Sequence, residues 1–231
     1  MPFTYRDVLL WGHSLADYNK MFLLNEHDRK SKLLDCCGGP SSFNAELTAQ
    51  GGQVISCDPL FALTFDKMKR RINEVFAEML VGVKYFSDRF MWTEVLTPEE
   101  LADIRSKNME IFLQDFKVGV KNRRYLSCSL PKLNFDHEQF DLAVCSHYLF
   151  AHSPDQSEDF HIKAIASLCK VAKEVRIFPL LDSEGEIPAL VGPVIHALQQ
   201  MDHGVEIVAV PYEFQKKGNA MLRVWAQTCK V

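Results

Sequence analysis

Asp35 stands near the end of a short apolar run, Lys32–Cys36 (KLLDC), and the residues after it have almost no side chain: Cys36, Cys37, Gly38 and Gly39, then Pro40 and two serines. Gly38 and Gly39 let a backbone approach a ligand closely, and a helix expected over 41–50 opens there with its first N–H groups unpaired. For a pyrophosphate those amides and the helix dipole would suffice, and an acid just before the loop would repel it. Asp35 therefore suits a ligand that carries positive charge or hydrogen-bond donors. A second acid, Asp58, follows the run Gln53–Cys57 (QVISC) and lies 19 residues after Gly39, the position from which a carboxylate holds ribose hydroxyls. Together the two acids describe one ribose-bearing, cationic ligand gripped from neighbouring strand ends in a shared cleft.

Such a pair needs strands whose ends share one edge of a sheet. Short apolar or β-branched runs recur at 32–36, 53–57, 124–128, 140–145, 174–178, 205–210 and 221–226, with helical patterns between most of them. This alternation predicts an α/β fold with a mostly parallel sheet covered by helices on both faces. Only PYEFQKKGNA, Pro211 to Ala220, separates the last two runs, too short for a helical crossover, so strand seven is expected antiparallel beside strand six. The connection from strand two to strand three is abnormally long and predicts a helical insertion over 60–123. Phe61, Phe65, Met68, Ile72, Phe76 and Met79 step at threes and fours, and Thr97-Pro98-Glu99-Glu100 announces a second helix with a threonine N-cap and a proline at N1. The insertion leaves from the ligand-binding edge, so a lid or pocket wall stands against a scaffold pair packed to one side.

The chain of 231 residues is expected to form a single domain over 1–231, with an N-terminal helical segment over 1–30. A formal net charge of -4 offers no general attraction to nucleic acid, and the basic runs Lys67–Arg71 and Lys121–Arg124 read as solvated helix faces or ends. Charged residues break any leader in the first twenty positions, and no window is apolar enough to span a membrane, so a cytoplasmic protein without membrane contact is expected. Seven cysteines with no C-x-x-C pair read as reduced, buried thiols, with no metal expected. Oligomeric state is left open.

A ligand with an ammonium, a sulfonium and a free ribose is S-adenosyl-L-methionine, and the stretch from Asp35 resembles motif I of class I S-adenosylmethionine-dependent methyltransferases. The likeness covers Ser31 to Val231, with a bacterial-type member expected. The family's loop reads acid-x-Gly-x-Gly-x-Gly. Here the acid is Asp35, Cys37 replaces the first glycine, Gly39 is the second, Ser41 replaces the third, and Gly38 occupies a spacer position. The nicotinamide fingerprint G-x-G-x-x-G fails, since positions 37, 39 and 42 read Cys, Gly, Ser. Leu133 to His147 (LNFDHEQFDLAVCSH) is similar to the family's entry into strand four. The resemblance implies a Rossmann-like seven-stranded sheet in the order 3-2-1-4-5-7-6. It also implies a cofactor site comprising Asp35, Cys37, Gly38, Gly39, Asp58, Pro59, Leu60, Ser129, Leu130 and Ser146. Pro59 and Leu60 would lie along the adenine, Ser129 stands where many relatives place an acid facing it, and Tyr5–Leu24 would fold over the cofactor or pack as core.

Methyl transfer from a sulfonium is an in-line displacement, and a general base is needed only for a protonated nucleophile. His147, just past strand four, is the candidate base, with cofactor lining as its competing role; His152 is a weaker candidate. Tyr212, Glu213 and Gln215 lie in the turn before strand seven, as substrate contacts or hairpin packing. No Asn/Asp-Pro-Pro-aromatic run, Pro-Cys nucleophile or acid cluster follows strand four. These absences leave an unidentified acceptor, expected to be a small molecule. A cofactor-binding regulatory protein without turnover is the alternative, and a nucleotide-dependent oxidoreductase is disfavoured by the failed fingerprint.

Overall fold

A computed structural model describes residues 11–153 and 155–226. Seven strands form one sheet in the order β3-β2-β1-β4-β5-β7-β6: β1 Lys32–Cys36, β2 Gln53–Cys57, β3 Tyr125–Leu126, β4 Phe140–Ser146, β5 Ala172–Phe178, β6 His203–Ala209 and β7 Ala220–Ala226. The central pairs are parallel, and β7 runs antiparallel between β5 and β6. This is the Rossmann-like architecture expected from the sequence. The central strands read as continuous apolar runs because helices cover both faces, and Leu33, Leu34, Ala143, Val144, Val175 and Ile177 are all fully buried.

All seven expected strands form, and β3 is shorter than its run 124–128. Ser56 and Asp58 donate their amides to the carbonyls of Arg124 and Leu126. The chain after Asp58 then enters a 3-10 turn, Pro59–Ala62, where Pro59 has no N–H to continue the ladder, so β3 finds no partner beyond Leu126.

Helices α1 Leu15–Phe22, α2 Glu26–Lys30, α3 Phe43–Ala49, α4 Phe65–Tyr85, α5 Pro98–Lys121, α6 Glu158–Val171 and α7 Val191–Gln200 complete the described chain. In α1, Ser14 and Asp17 form a reciprocal capping box, and Tyr18, Met21 and Phe22 are buried against the sheet. The insertion holds the 3-10 turn, α4, a second 3-10 turn at Ser87–Arg89, and α5. Thr97 caps α5 by accepting the Glu100 amide at 3.1 Å, while the Glu100 carboxylate reaches Leu96 N at 2.8 Å rather than the cap residue's own amide. Met68, Ile72 and Val75 of α4 pack with Met109, Phe112 and Phe116 of α5, beside Phe61 and Tyr125. None of the described helices is long and apolar enough to cross a membrane.

Candidate functional site

Parallel register sets Asp35 of β1 opposite Ser56 of β2 and Val144 of β4. Ser56 Oγ donates to Asp35 Oδ2 at 2.8 Å, and Tyr18 of α1 donates its hydroxyl to Asp35 Oδ1 at 2.9 Å. Tyr18 is held there by stacking on Phe43, with ring centroids 4.0 Å apart. Asp58, one residue beyond β2, accepts the Leu60 amide at 2.8 Å and, across 19 residues, the Gly39 amide at 3.1 Å. The two acids and the glycine loop thus meet at adjoining strand ends.

The loop adopts the conformation that its glycine pattern implies. Cys37, standing where the family has its first glycine, has φ +59°, and Gly39 has φ +61°. A side chain at Gly38 would collide with the Tyr18 hydroxyl and the Asp35 carboxylate, so glycine is required there by close approach.

Both carboxylates are buried, Asp35 at 1% exposure and Asp58 at 5%, and among the described residues neither has a cationic side chain as partner. Burial pushes the Asp35 carboxyl up to about 7 against the pull of its Ser56 and Tyr18 hydrogen bonds. Burial does the same to Asp58, also to about 7, against the Leu60 and Gly39 amides. Each carboxylate oxygen accepts one bond from the chain and retains further acceptor capacity. Tyr18 closes over Asp35, and the Gly39 and Leu60 amides meet Asp58, so both acids receive from the chain the hydrogen bonds that burial demands.

The remaining expected cofactor residues flank this point. Leu60 and Leu130 are buried, Pro59 is half-buried, and Ser129 is exposed, its carbonyl accepting the Lys132 amide. Cys36, Cys37 and Cys57 crowd behind the loop, with Cys36 Sγ 3.7 Å from Cys37 Sγ and 3.5 Å from Cys57 Sγ. Among the described residues no group of three or more His, Cys, Asp or Glu is placed to hold a metal ion.

A cavity of about 350 Å³ lies further along the same edge, beyond the ends of β4 and β5 and against the turn before β7. Its walls include Trp11, Met79, Val83, Phe90, Phe178 and Phe214. The C-terminal half of α4 contributes Glu78, Met79, Gly82 and Val83, and the chain after it Phe86, Arg89 and Phe90, so these parts of the insertion wall the cavity while Met68, Ile72 and Val75 pack against α5. His147 and His152 line the cavity, as do Tyr212 and Gln215, whereas Glu213 turns back to accept the Lys217 amide and the Asn219 side chain. Ser146 is buried, and its hydroxyl lies 2.9 Å from His147 Nδ1. Burial, with the nearby charges of His13 and Arg105, holds the His147 imidazole well below its ordinary value, which makes it a weak proton acceptor.

The sequence reading missed His13, Asp17 and Arg105. His13 stacks on His147 with centroids 4.4 Å apart, and its Nδ1 lies 3.5 Å from Asp17 Oδ2. Arg105 of α5 donates to Asp17 at 2.6 Å and to the Tyr212 hydroxyl at 3.0 Å. The His13 carbonyl accepts the Ser41 hydroxyl and the Ser42 amide, tying the segment before α1 to the start of α3. The Ser14-x-x-Asp17 spacing was a readable helix-start signal that would have put His13 just ahead of α1. Nothing in the sequence pairs Asp17 with a residue 88 positions away. Of the segment expected to cover the cofactor, residues 5–10 lie outside the described residues; Trp11 and His13 line the cavity, while Leu15, Tyr18, Met21 and Phe22 pack as core, with Tyr18 on Asp35.

No family model matches the chain. In sequence it is similar to an uncharacterised protein of Methanocaldococcus jannaschii, 29% identical over 218 residues, which cover 94% of this chain and 96% of that protein. That relative is archaeal and lends nothing to the bacterial type expected above. Among solved structures, a protein of Pyrococcus horikoshii OT3 is similar with a TM-score of 0.50 at 12% identity, over 98% of this chain and all 100% of that one. A TehB-like SAM-dependent methyltransferase from Corynebacterium glutamicum aligns with a TM-score of 0.48 at 14% identity, over 92% of this chain and 87% of that one. At such identities the likeness concerns the fold: a seven-stranded Rossmann-like sheet with its seventh strand reversed.

Proposed function

We propose that the chain is an S-adenosyl-L-methionine-dependent methyltransferase acting on a small-molecule acceptor. The observation that carries this reading is the meeting of Asp35, Asp58 and the Gly39 amide at adjoining strand ends, with both acids buried and without a cation. The donor set fits the cofactor: carboxylates raised to about 7 by burial would be stabilised in ionised form by a ligand's ammonium and sulfonium. Asp35 would hold the amino-acid tail and Asp58 the ribose hydroxyls. Cys37, Gly38 and Gly39 would bring backbone alongside, while Pro59, Leu60, Ser129 and Leu130 would border the adenine. When bound, the cofactor supplies an electrophilic methyl group for in-line displacement. The chain's own part is alignment and exclusion of water, with Ser146 and His147 standing between the two acids and the cavity. His147 suits hydrogen bonding to the acceptor better than strong proton abstraction, since its proton affinity is low.

Calorimetry with S-adenosylmethionine and S-adenosylhomocysteine tests this; absence of binding by both near millimolar concentration removes the proposal. One observation favours a second reading, a cofactor-binding regulator without turnover: Tyr18 and Ser56 already satisfy Asp35. Cofactor that binds, yet transfers no labelled methyl group to any component of a broad small-molecule extract, would select that reading.

A further inference from the structure

The cavity beyond β4 and β5 carries a chemical signature of its own. Aromatic rings and imidazoles form a large part of its lining. Trp11 lies 6.0 Å from Phe214 and 6.4 Å from Phe90, and Phe90 stacks on Phe214 at 4.8 Å. Phe178 meets His147 and Tyr212 edge-on at 5.4 and 5.6 Å. Offset and edge-to-face arrangements at such spacings favour a flat aromatic guest. A volume of about 350 Å³ lies at the small end of ligand pockets.

The charges near this cavity are spent or peripheral. The Arg105 guanidinium, 3% exposed, is directed to Asp17 and Tyr212. Arg89 lies over the Phe86 ring at 4.4 Å, Asp182 accepts the amides of Glu184 and Glu186, and Glu78 and Asp155 are exposed at the mouth. Both imidazoles are neutral at ordinary pH, His13 being lowered to about 4 chiefly by burial. An ion entering this space would therefore lose hydration and find counter-charge only in the exposed Glu78 and Asp155 and the half-buried Arg89 and Asp182.

One polar mark remains. His13 is 3% exposed and lines the cavity; its Nδ1 faces Asp17 Oδ2 at 3.5 Å, and among the described residues its Nε2 has no hydrogen-bond partner. Buried polar groups are ordinarily paired, and a neutral imidazole can both donate and accept. From this geometry we infer that the cavity takes a neutral, planar aromatic molecule bearing a hydroxyl group, with His13 as the residue that recognises the hydroxyl. In naming that molecule the methyl acceptor, the inference rests on the proposed methyl transfer; the binding preference does not.

Calorimetric titration of the full chain with 2-naphthol, 2-methylnaphthalene, 2-naphthoate and 2-naphthylmethylammonium reads the preference directly. The expected result is that 2-naphthol binds at least tenfold more tightly than either charged probe. In His13→Phe, which keeps a ring and removes both nitrogens, 2-naphthol should weaken about tenfold, toward 2-methylnaphthalene, whose own affinity stays unchanged. Gly82→Phe offers a second variant: Gly82 lines the cavity, and a Cβ there meets nothing within 4 Å, so the helix can accept the ring while space is filled. It should abolish naphthol binding. Equal or tighter binding of a charged probe, or naphthol binding that survives Gly82→Phe, overturns the inference. S-adenosylhomocysteine titrated in parallel separates the two claims. Naphthol bound without S-adenosylhomocysteine leaves the inference standing and removes the methyltransferase reading; the converse removes the inference alone.

Discussion

At the ends of β1 and β2, two carboxylates lie buried and, among the described residues, without a cationic side-chain partner, and each oxygen is bonded by a hydroxyl or amide of the chain itself. At the ends of β4 and β5, the stacked imidazoles of His13 and His147 line an open cavity with the Asp17–Arg105 pair behind His13, and among the described residues His13 Nε2 has no hydrogen-bond partner. The first region satisfies its hydrogen bonds but leaves its charge unbalanced. The second balances its charge through Asp17 and Arg105 but leaves hydrogen-bonding capacity over. The contrast assigns complementary guests to one sheet edge, a cation toward the first region and a neutral hydrogen-bonding molecule toward the second.

The largest expected effect breaks the charge balance on the cavity side. Arg105→Leu leaves the half-buried Asp17 without its guanidinium and the buried Tyr212 without its donor, and should lower stability by about 3–5 kcal/mol in denaturant unfolding. A loss under about 1 kcal/mol would show that this region does not depend on the pair.

Next in size is a pH effect that separates the two regions by sign. Asp35 has its folded value raised from 3.8 to about 7, so the folded state holds a proton that the unfolded chain has released. Its stabilising influence is complete below about pH 4 and is lost as pH rises toward 7. His13, lowered from 6.5 to about 4, behaves oppositely: stability is full above 6.5 and is lost as pH falls toward 4. Relative to the parent, ligand-free Asp35→Asn should therefore gain stability as pH rises, by up to roughly 4 kcal/mol at neutrality. His13→Phe should gain relative stability as pH falls. Parallel curves for parent and variants would dissolve the contrast.

Asp58→Asn tests the cofactor reading more narrowly. Loss of the charge-assisted bonds to ribose should weaken S-adenosylhomocysteine about 10- to 100-fold in calorimetry. Unchanged affinity would move the ligand away from β2. The smallest effect is expected from Tyr18→Phe, which removes one donor from Asp35 while keeping the stack on Phe43. It should cost about 1–2 kcal/mol of ligand-free stability in thermal or denaturant unfolding.

The strand count, the reversed seventh strand and the meeting of Asp35, Gly39 and Asp58 were legible because they follow from local spacing and short-range topology. Alternating apolar runs demand a parallel sheet, and a ten-residue link cannot cross it. Cys37 was placed at a glycine position by pattern alone, and its left-handed backbone agrees. Less legible was the end of β3, because its length depends on where the neighbouring β2 chain turns away at Pro59.

The sequence by itself determined which acids would stand at the strand ends, because a strand's direction and the residues after it lie in one continuous stretch of chain. Only the tertiary structure decided that Tyr18 would close over Asp35, that α4 would wall the cavity, and that His13 would stack on His147 beside Asp17 and Arg105. Those contacts join segments far apart in the chain; His13 and His147 alone are separated by 134 positions (147 minus 13). Burial then makes them matter, since hydrogen bonds and charges that water would screen at the surface must be answered inside by whatever packing brings near.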